Sequence, residues 1–198
     1  MSANQPITVS IADSHKVFRQ SIKQAFKEKE RLKVVWEAES GPQLLECLDK
    51  TRPDVLLMNL GIAGNARFRQ AIPMLRQVYN PVKIIVFTLR NDPDIVTSVM
   101  DTGANACLAR ATNPEEIYRA ILSCRQNGFY FDNLIEKVGL SVRDVQRIYR
   151  KAVKLSEKEI LLLRMLAEDM LTKEISQQLR LSSRRVEALR QDMKAKIG

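Results

Sequence analysis

Cysteine is scarce, and no two cysteines stand at a pairing distance typical of a motif. The three present, Cys47, Cys107 and Cys124, form an odd set without a CxxC pair, which argues against a disulfide framework or a cysteine-based zinc site and for a reducing compartment. They read as buried thiols. The N-terminal stretch MSANQPITVSIAD lacks a charged start followed by a long apolar run, so it does not resemble a secretion signal. No window approaches the ~18–20 apolar residues that a membrane span needs; the expected location is the cytoplasm, with no membrane partner. Histidine occurs once, at position 15, without a serine, cysteine or acid at catalytic-motif spacing. It reads as a surface loop residue. With no nucleophile and base pair, and no internal repeat or low-complexity segment, an enzyme is the least favoured class, and no cofactor or metal is expected.

What is present is an ordinary globular mixture. Hydrophobic residues make up 45% and charged residues 28% of a 198-residue, 22.6 kDa chain, which excludes wholesale disorder and collagen-like repeats and suits two small domains. Lysine plus arginine (32) exceeds aspartate plus glutamate (23), a net charge of +9. A polyanion such as nucleic acid or an anionic membrane is therefore a natural partner, and charge alone does not choose between them.

Short apolar runs alternate with amphipathic stretches five times. ITVSIA (7–12), LKVVWEA (32–38), DVLLMN (54–59), VKIIVFT (82–88) and ANACLA (104–109) read as strands. Between them lie helical stripes: Phe18, Ile22, Ala25 and Phe26; QLLECLD; Phe68, Ile72, Leu75 and Val78; and Asp92 to Thr102, stopped by Gly103. Asn113, Pro114, Glu115 and Glu116 cap and start a fifth helix that ends near Gly128. Five βα units over about 125 residues imply a doubly wound parallel sheet, an α/β flavodoxin-like domain. Its functional crevice lies at the carboxyl ends of the strands. Asp13, Ser14, Asn59, Thr88 and Arg110 occupy those ends and are expected to converge.

From Leu134 onward the chain reads as helical and more basic, a small all-α domain. Ser141 to Asp144 can cap a linker helix. Ser156-Glu-Lys-Glu159 is a capping box ahead of Ile160, Leu163 and Leu166. Thr172 starts a short helix, and Ser182 or Ser183 starts a last one with Val186, Leu189, Met193 and Ile197 on one stripe. The expected division is 1–131, a linker at 132–154, and 155–198.

IADSH, RPDVLLMNLGIAG, VFT and GANACLAR followed by NPEEI, in that order, resemble a receiver domain. LSEKEILLLRMLAEDMLTKEISQQLRLSSRRVEALRQDMKAKIG resembles the helix-turn-helix of NarL/LuxR-type response regulators. The resemblance implies an aspartate at 59 that accepts a phosphoryl group, two acids at 13 and 14 that hold Mg²⁺, and a lysine at 110. This chain departs at three of the four. The Asn59 amide cannot form an acyl phosphate as a carboxylate does. Ser14 and Asn59 leave Asp13 as one charged ligand where magnesium favours several. Arg110 keeps the positive charge and can fork onto a carboxylate; pairing with Asp13 would fix one receiver conformation. Cys107 stands where related receivers often carry a switch aromatic, so its coupling to Thr88 reads as lost. The family also carries one more helix after the position of Gly198, and commonly has threonine, histidine and glycine where Arg185, Leu189 and Asp169 stand here.

A recognition helix needs an apolar stripe to seat it, a polar cap, and basic or amide side chains facing outward. Residues 182–197 meet these conditions, with Arg184, Arg185, Glu187, Ala188, Arg190, Gln191 and Lys194 as the outward, DNA-binding set. The expectation is a phosphorylation-independent, atypical response regulator that binds double-stranded DNA and regulates transcription. A homodimer and a regulatory protein docking on the receiver are admitted as further partners. The alternatives are a protein-interaction pseudo-receiver without productive DNA binding, and a small-molecule sensor using the crevice near Thr88 and Arg110.

Overall fold

The structure, a computed structural model, describes residues 5–63, 68–89, 92–130, 156–167 and 170–197. The expected linker at 132–154 lies outside them. Five parallel strands form one sheet: β1 (Ile7–Ala12), β2 (Leu32–Ala38), β3 (Val55–Asn59), β4 (Lys83–Thr88) and β5 (Ala106–Ala109), in the order β2-β1-β3-β4-β5. The intervening helices are α1 (Lys16–Phe26), α2 (Gly41–Lys50), α3 (Phe68–Val78), α4 (Pro93–Asp101) and α5 (Pro114–Asn127).

Strand side chains alternate between the two faces, so a run that is apolar throughout needs cover on both. Val9, Ile11, Leu57, Ile85 and Phe87 pack with Ile22 and Phe26 of α1 and with Ile117 and Ile121 of α5. On the opposite face Ala12, Leu56, Met58, Ile84 and Val86 pack with Leu44 and Leu48 of α2, Ile72 and Leu75 of α3, and Val96 and Val99 of α4. Each such side chain contributes about 1.5–3 kcal/mol by leaving water. The sheet is thereby held from both sides, and its carboxyl edge is a fixed platform.

The element ends follow local chemistry. The Asn113 side chain accepts from the Glu116 amide at 2.8 Å to open α5, which closes at Gly128 with φ of 90°, a left-handed cap that favours glycine. Three strands start later than the apolar runs suggest, β4 by one residue at Lys83 and β3 and β5 behind a polar side chain. Asp54 precedes β3 because its carboxylate accepts from both the amide (2.9 Å) and the hydroxyl (2.8 Å) of Thr8. Asn105 precedes β5 because its buried side-chain oxygen accepts from the Ile84 amide at 2.8 Å. In both places a polar side chain fastens a strand end.

The C-terminal unit comprises α6 (Glu157–Ala167), α7 (Thr172–Leu179) and α8 (Ser183–Ile197). The capping box is formed: the Ser156 amide donates to Glu159 Oε2 at 2.7 Å, and the Glu159 amide donates to Ser156 Oγ at 3.4 Å. Leu162, Met165, Ile175 and Val186 are buried, so α6, α7 and α8 each supply the small core. Arg180 takes the turn between α7 and α8 with φ of 52°, a conformation that costs a side chain about 1–2 kcal/mol.

Candidate functional site

The carboxyl edge of the sheet carries the expected residues, and each has a definite partner. Asp13 follows β1 and its side chain is 1% exposed, while Arg110 follows β5 and is 16% exposed. These strands stand three positions apart in the sheet, a separation of roughly 14 Å at 4.8 Å per strand, and the long arginine side chain bridges it. Arg110 Nη2 lies 3.1 Å from both carboxylate oxygens of Asp13. One nitrogen bisects the carboxylate, and only its contact with Oδ1 has hydrogen-bond geometry. The two parallel bonds that a guanidinium fork can make are absent from this pair, for a visible reason. The other terminal nitrogen, Nη1, is turned toward His15 Nδ1 at 3.4 Å, and the guanidinium carbon sits 4.4 Å above the Phe18 ring. Phe18 in turn meets Phe87 edge to face at 5.1 Å. Arg110 is therefore clamped between a buried carboxylate and an aromatic face.

His15 is exposed in the loop before α1, as read, and it also belongs to this cluster. Its side chain is 66% exposed, yet its amide donates to Asp13 Oδ1 at 2.7 Å and its Nδ1 lies 3.1 Å from the same oxygen. Ser14 is exposed, with Oγ 3.2 Å from His15 Nδ1. Asn59 is buried and its Oδ1 accepts from the Gly61 amide at 2.7 Å. The Thr88 hydroxyl is buried and donates to the Leu108 carbonyl at 3.4 Å, and Cys107 is buried on β5. Every oxygen that the resemblance assigns to a magnesium shell thus has another partner or none suited to a divalent ion. The Asp13 carboxylate faces a cation, Ser14 faces a histidine, and Asn59 holds a backbone amide. This donor set does not fit Mg²⁺.

Arg19 is a further member that the sequence pattern conceals. It is 6% exposed, donates through Nη1 to the Asp13 carbonyl at 2.7 Å, and pairs with Glu37 at 3.3 Å and Glu39 at 3.4 Å. A buried arginine with three acceptors is satisfied, and it anchors the backbone from which Asp13 projects. Its signal in the sequence is weak: a charged residue flanking the apolar stripe of α1.

The second candidate site is the outer face of α8. The Ser182 hydroxyl accepts from the Arg185 amide at 3.2 Å and starts the helix. Val186 is buried and Leu189 half-buried, as the stripe requires, and Arg184, Arg185, Glu187, Ala188 and Gln191 are exposed. Arg190 is different. It is half-buried, with Nη1 3.4 Å from both Thr172 Oγ1 and Glu187 Oε2. It is thus less exposed than the other described residues of the outward set, with 31% of its side chain open. Four residues after Val186 and one after Leu189, it lies on the flank of the apolar stripe at 3.6 residues per turn and leans back toward α7. Lys194 lies on α8, and its side chain is outside the described residues.

A doubly wound sheet with its polar cluster at the carboxyl edge, followed by a three-helix unit with an exposed basic helix, defines a receiver joined to a helix-turn-helix domain. Comparison with known proteins agrees. Residues 9–122 match the response regulator receiver domain, and residues 153–198 match the bacterial regulatory proteins of the luxR family. The chain belongs to the NarL/LuxR-type response regulators, a regulatory family of DNA-binding transcription regulators. It is similar to the response regulator UvrY of Escherichia coli K12, 27% identical over 97% of this chain and 88% of that one. The nitrate/nitrite response regulator NarL of the same organism is 28% identical over 61% of this chain and 56% of that one. Among solved structures, RcsB from Salmonella enterica serovar Typhimurium bound to promoter P1flhDC with phosphomimetic BeF3⁻ superposes with a TM-score of 0.60 at 26% identity, covering 98% of this chain and 93% of that one. A structure of two RcsB dimers bound to two parallel DNAs gives 0.57 at 26% identity, covering 98% and 92%. Among the described residues, no helix is long and apolar enough to cross a membrane.

Proposed function

We propose that this chain is a phosphorylation-independent response regulator, a pseudo-receiver whose signal enters otherwise than by phosphoryl transfer. The observation that carries this is the pairing of Arg110 with Asp13 at 3.1 Å in a pocket whose acceptor position is Asn59. An amide there offers no carboxylate oxygen for an acyl phosphate. Arg110, held also by Phe18, supplies the positive charge that a metal would bring in a phosphorylatable relative. The pocket of Asp13, Ser14, Asn59, Thr88 and Arg110 is thus read as degenerate. The test is the intact mass of the protein after incubation with acetyl phosphate and Mg²⁺. The mass stays unchanged on this reading, and a stable adduct of about 80 Da on a receiver residue overturns it.

The same reading assigns the output to α8. Arg184, Arg185, Ala188 and Gln191, exposed along one side of the helix, meet a major groove, and Lys194 meets phosphate. The partner is double-stranded DNA, bound as a homodimer by analogy with the RcsB dimers on DNA. Fluorescence anisotropy of a labelled duplex at about 50 and 200 mM salt tests it: binding falls steeply with salt, and no binding at the lower salt removes the assignment. A regulatory protein docking on the receiver is supported by Val17 and Leu89, which are 75% and 76% exposed near the carboxyl edge.

A further inference from the structure

The exposed face at the start of α8 is basic with one acid in its midst, and that acid is held in place. Arg184 and Arg185 precede Glu187, while Arg190 follows it. One carboxylate oxygen of Glu187 lies 3.4 Å from Arg190 Nη1, and the other lies 3.4 Å from Gln191 Nε2. Arg190 reaches Thr172 Oγ1 at 3.4 Å as well, so the carboxylate is tied through it to the first residue of α7. Glu187 is nonetheless half exposed, at 50% of its side chain, and each oxygen keeps a lone-pair direction open to the outside.

We infer that Glu187 determines the base preference of this protein by accepting a hydrogen bond from the amine of a cytosine in the major groove; the inference rests on the DNA-binding reading. A carboxylate brought near a duplex is repelled by the phosphates, so it penalises every sequence that does not offer it a donor. The major groove offers two amine donors, cytosine N4 and adenine N6. Adenine presents the acceptor N7 beside its amine, and that lone pair opposes a second anion. Cytosine presents its amine without a neighbouring acceptor on the same base. Arg190 and Gln191 act as positioning residues, fixing the carboxylate on the exposed side of α8 and limiting the side-chain entropy lost on binding. The bland account of the same geometry is a surface pair at i, i+3, which contributes little to anything. That account leaves base preference indifferent to residue 187.

The experiment is selection of bound duplexes from a randomised library by the full chain, with wild type, Glu187→Gln and Glu187→Ala carried through in parallel at one salt concentration. Wild type enriches cytosine at one position of each half-site. Glu187→Ala loses that preference roughly tenfold or more, the scale of one good base contact, and binds unselected duplex more tightly than wild type does, while Glu187→Gln, whose amide both donates and accepts, shifts it from cytosine toward adenine. Glu187→Gln keeps the size and helix propensity of the residue, so its shift of preference cannot come from unfolding. If both variants enrich the same cytosine as wild type, or if wild type binds duplex while enriching no base at that position, the inference is overturned and DNA binding stands. If wild type retains no duplex at low salt, the inference and the DNA-binding reading fall together.

Discussion

The Asp13–Arg110 pair is the hinge of the pseudo-receiver reading, and a double-mutant cycle tests whether the two charges hold one another. Arg110→Ala leaves a carboxylate that is 1% exposed without its cation. Removing one partner of a fully buried pair costs about 3–5 kcal/mol. That figure is reduced here because Arg110 is itself 16% exposed and Asp13 keeps the His15 amide at 2.7 Å, so about 2–3 kcal/mol is expected. Asp13→Asn retains the acceptor for His15 and frees Arg110 to reach water, a loss of about 1–2 kcal/mol. The double variant no longer contains the buried unpaired charge, so its loss falls short of the sum by about 1–2 kcal/mol. Trp36 is the only tryptophan, and it lies on β2 with Nε1 donating to the Thr51 carbonyl at 2.9 Å. Its fluorescence in urea therefore reports unfolding at the receiver sheet. Additivity within about 0.5 kcal/mol would show that the two residues sit together without holding each other, and the locked-receiver argument would fail.

Two further outcomes are expected from residues outside the pocket. Arg180→Gly relieves a left-handed side chain at the α7–α8 turn and raises the stability of the C-terminal unit by about 0.5–1 kcal/mol, read from the helical circular dichroism during melting; an unchanged or lower midpoint contradicts the strain. Burial pushes the Cys124 thiol up to about 12, so iodoacetamide at pH 8 leaves Cys124 unmodified in the native protein and labels it after denaturation. The linkage has a sign: the unfolded thiol ionises first, near its ordinary 9, so this group's contribution to stability is constant below pH 9 and falls as pH rises from 9 toward 12.

Much of the receiver was legible because the middles of its central strands are buried on both faces and apolar, as IIVF within VKIIVFT and VLLM within DVLLMN. Caps were legible where one side chain suffices, as at Asn113 and Ser156; for the last helix Ser182 and Ser183 stood as alternatives, and Ser182 is the cap. What stayed hidden depends on the third dimension. Phe18 lies on the α1 stripe and meets Phe87 of the sheet edge to face, while its ring also carries Arg110. His15 gains its role from an arginine 95 residues away, which no local spacing reveals. Arg190 is the opposite case. Its position on the flank of the stripe follows from helical periodicity, but its contact with Thr172 of α7 does not.

Charge balance explains why the substitutions at 14, 59 and 110 belong together. The family pattern places three carboxylates against one lysine and one divalent cation, a sum of zero. Here Asp13 against Arg110 also sums to zero, without the ion. Adding a carboxylate alone breaks the balance: Asn59→Asp puts a second anion on a buried position, 7% exposed, at the same sheet edge as Asp13. The Gly61 amide still donates to it, which offsets part of the desolvation, and a net loss of about 1–3 kcal/mol remains. Millimolar Mg²⁺ does not recover it, because Arg110 occupies Asp13 and Ser14 contributes no charge. Ser14→Asp combined with Asn59→Asp creates the donor set that a divalent ion can hold against Arg110, so the double variant is stabilised by Mg²⁺ where the single one is not. Trp36 fluorescence in urea with and without Mg²⁺ decides the matter. Recovery of Asn59→Asp alone by Mg²⁺ would show that Arg110 yields Asp13 readily to a metal, and the pocket would then be a silenced receiver awaiting one residue and not a rebuilt one.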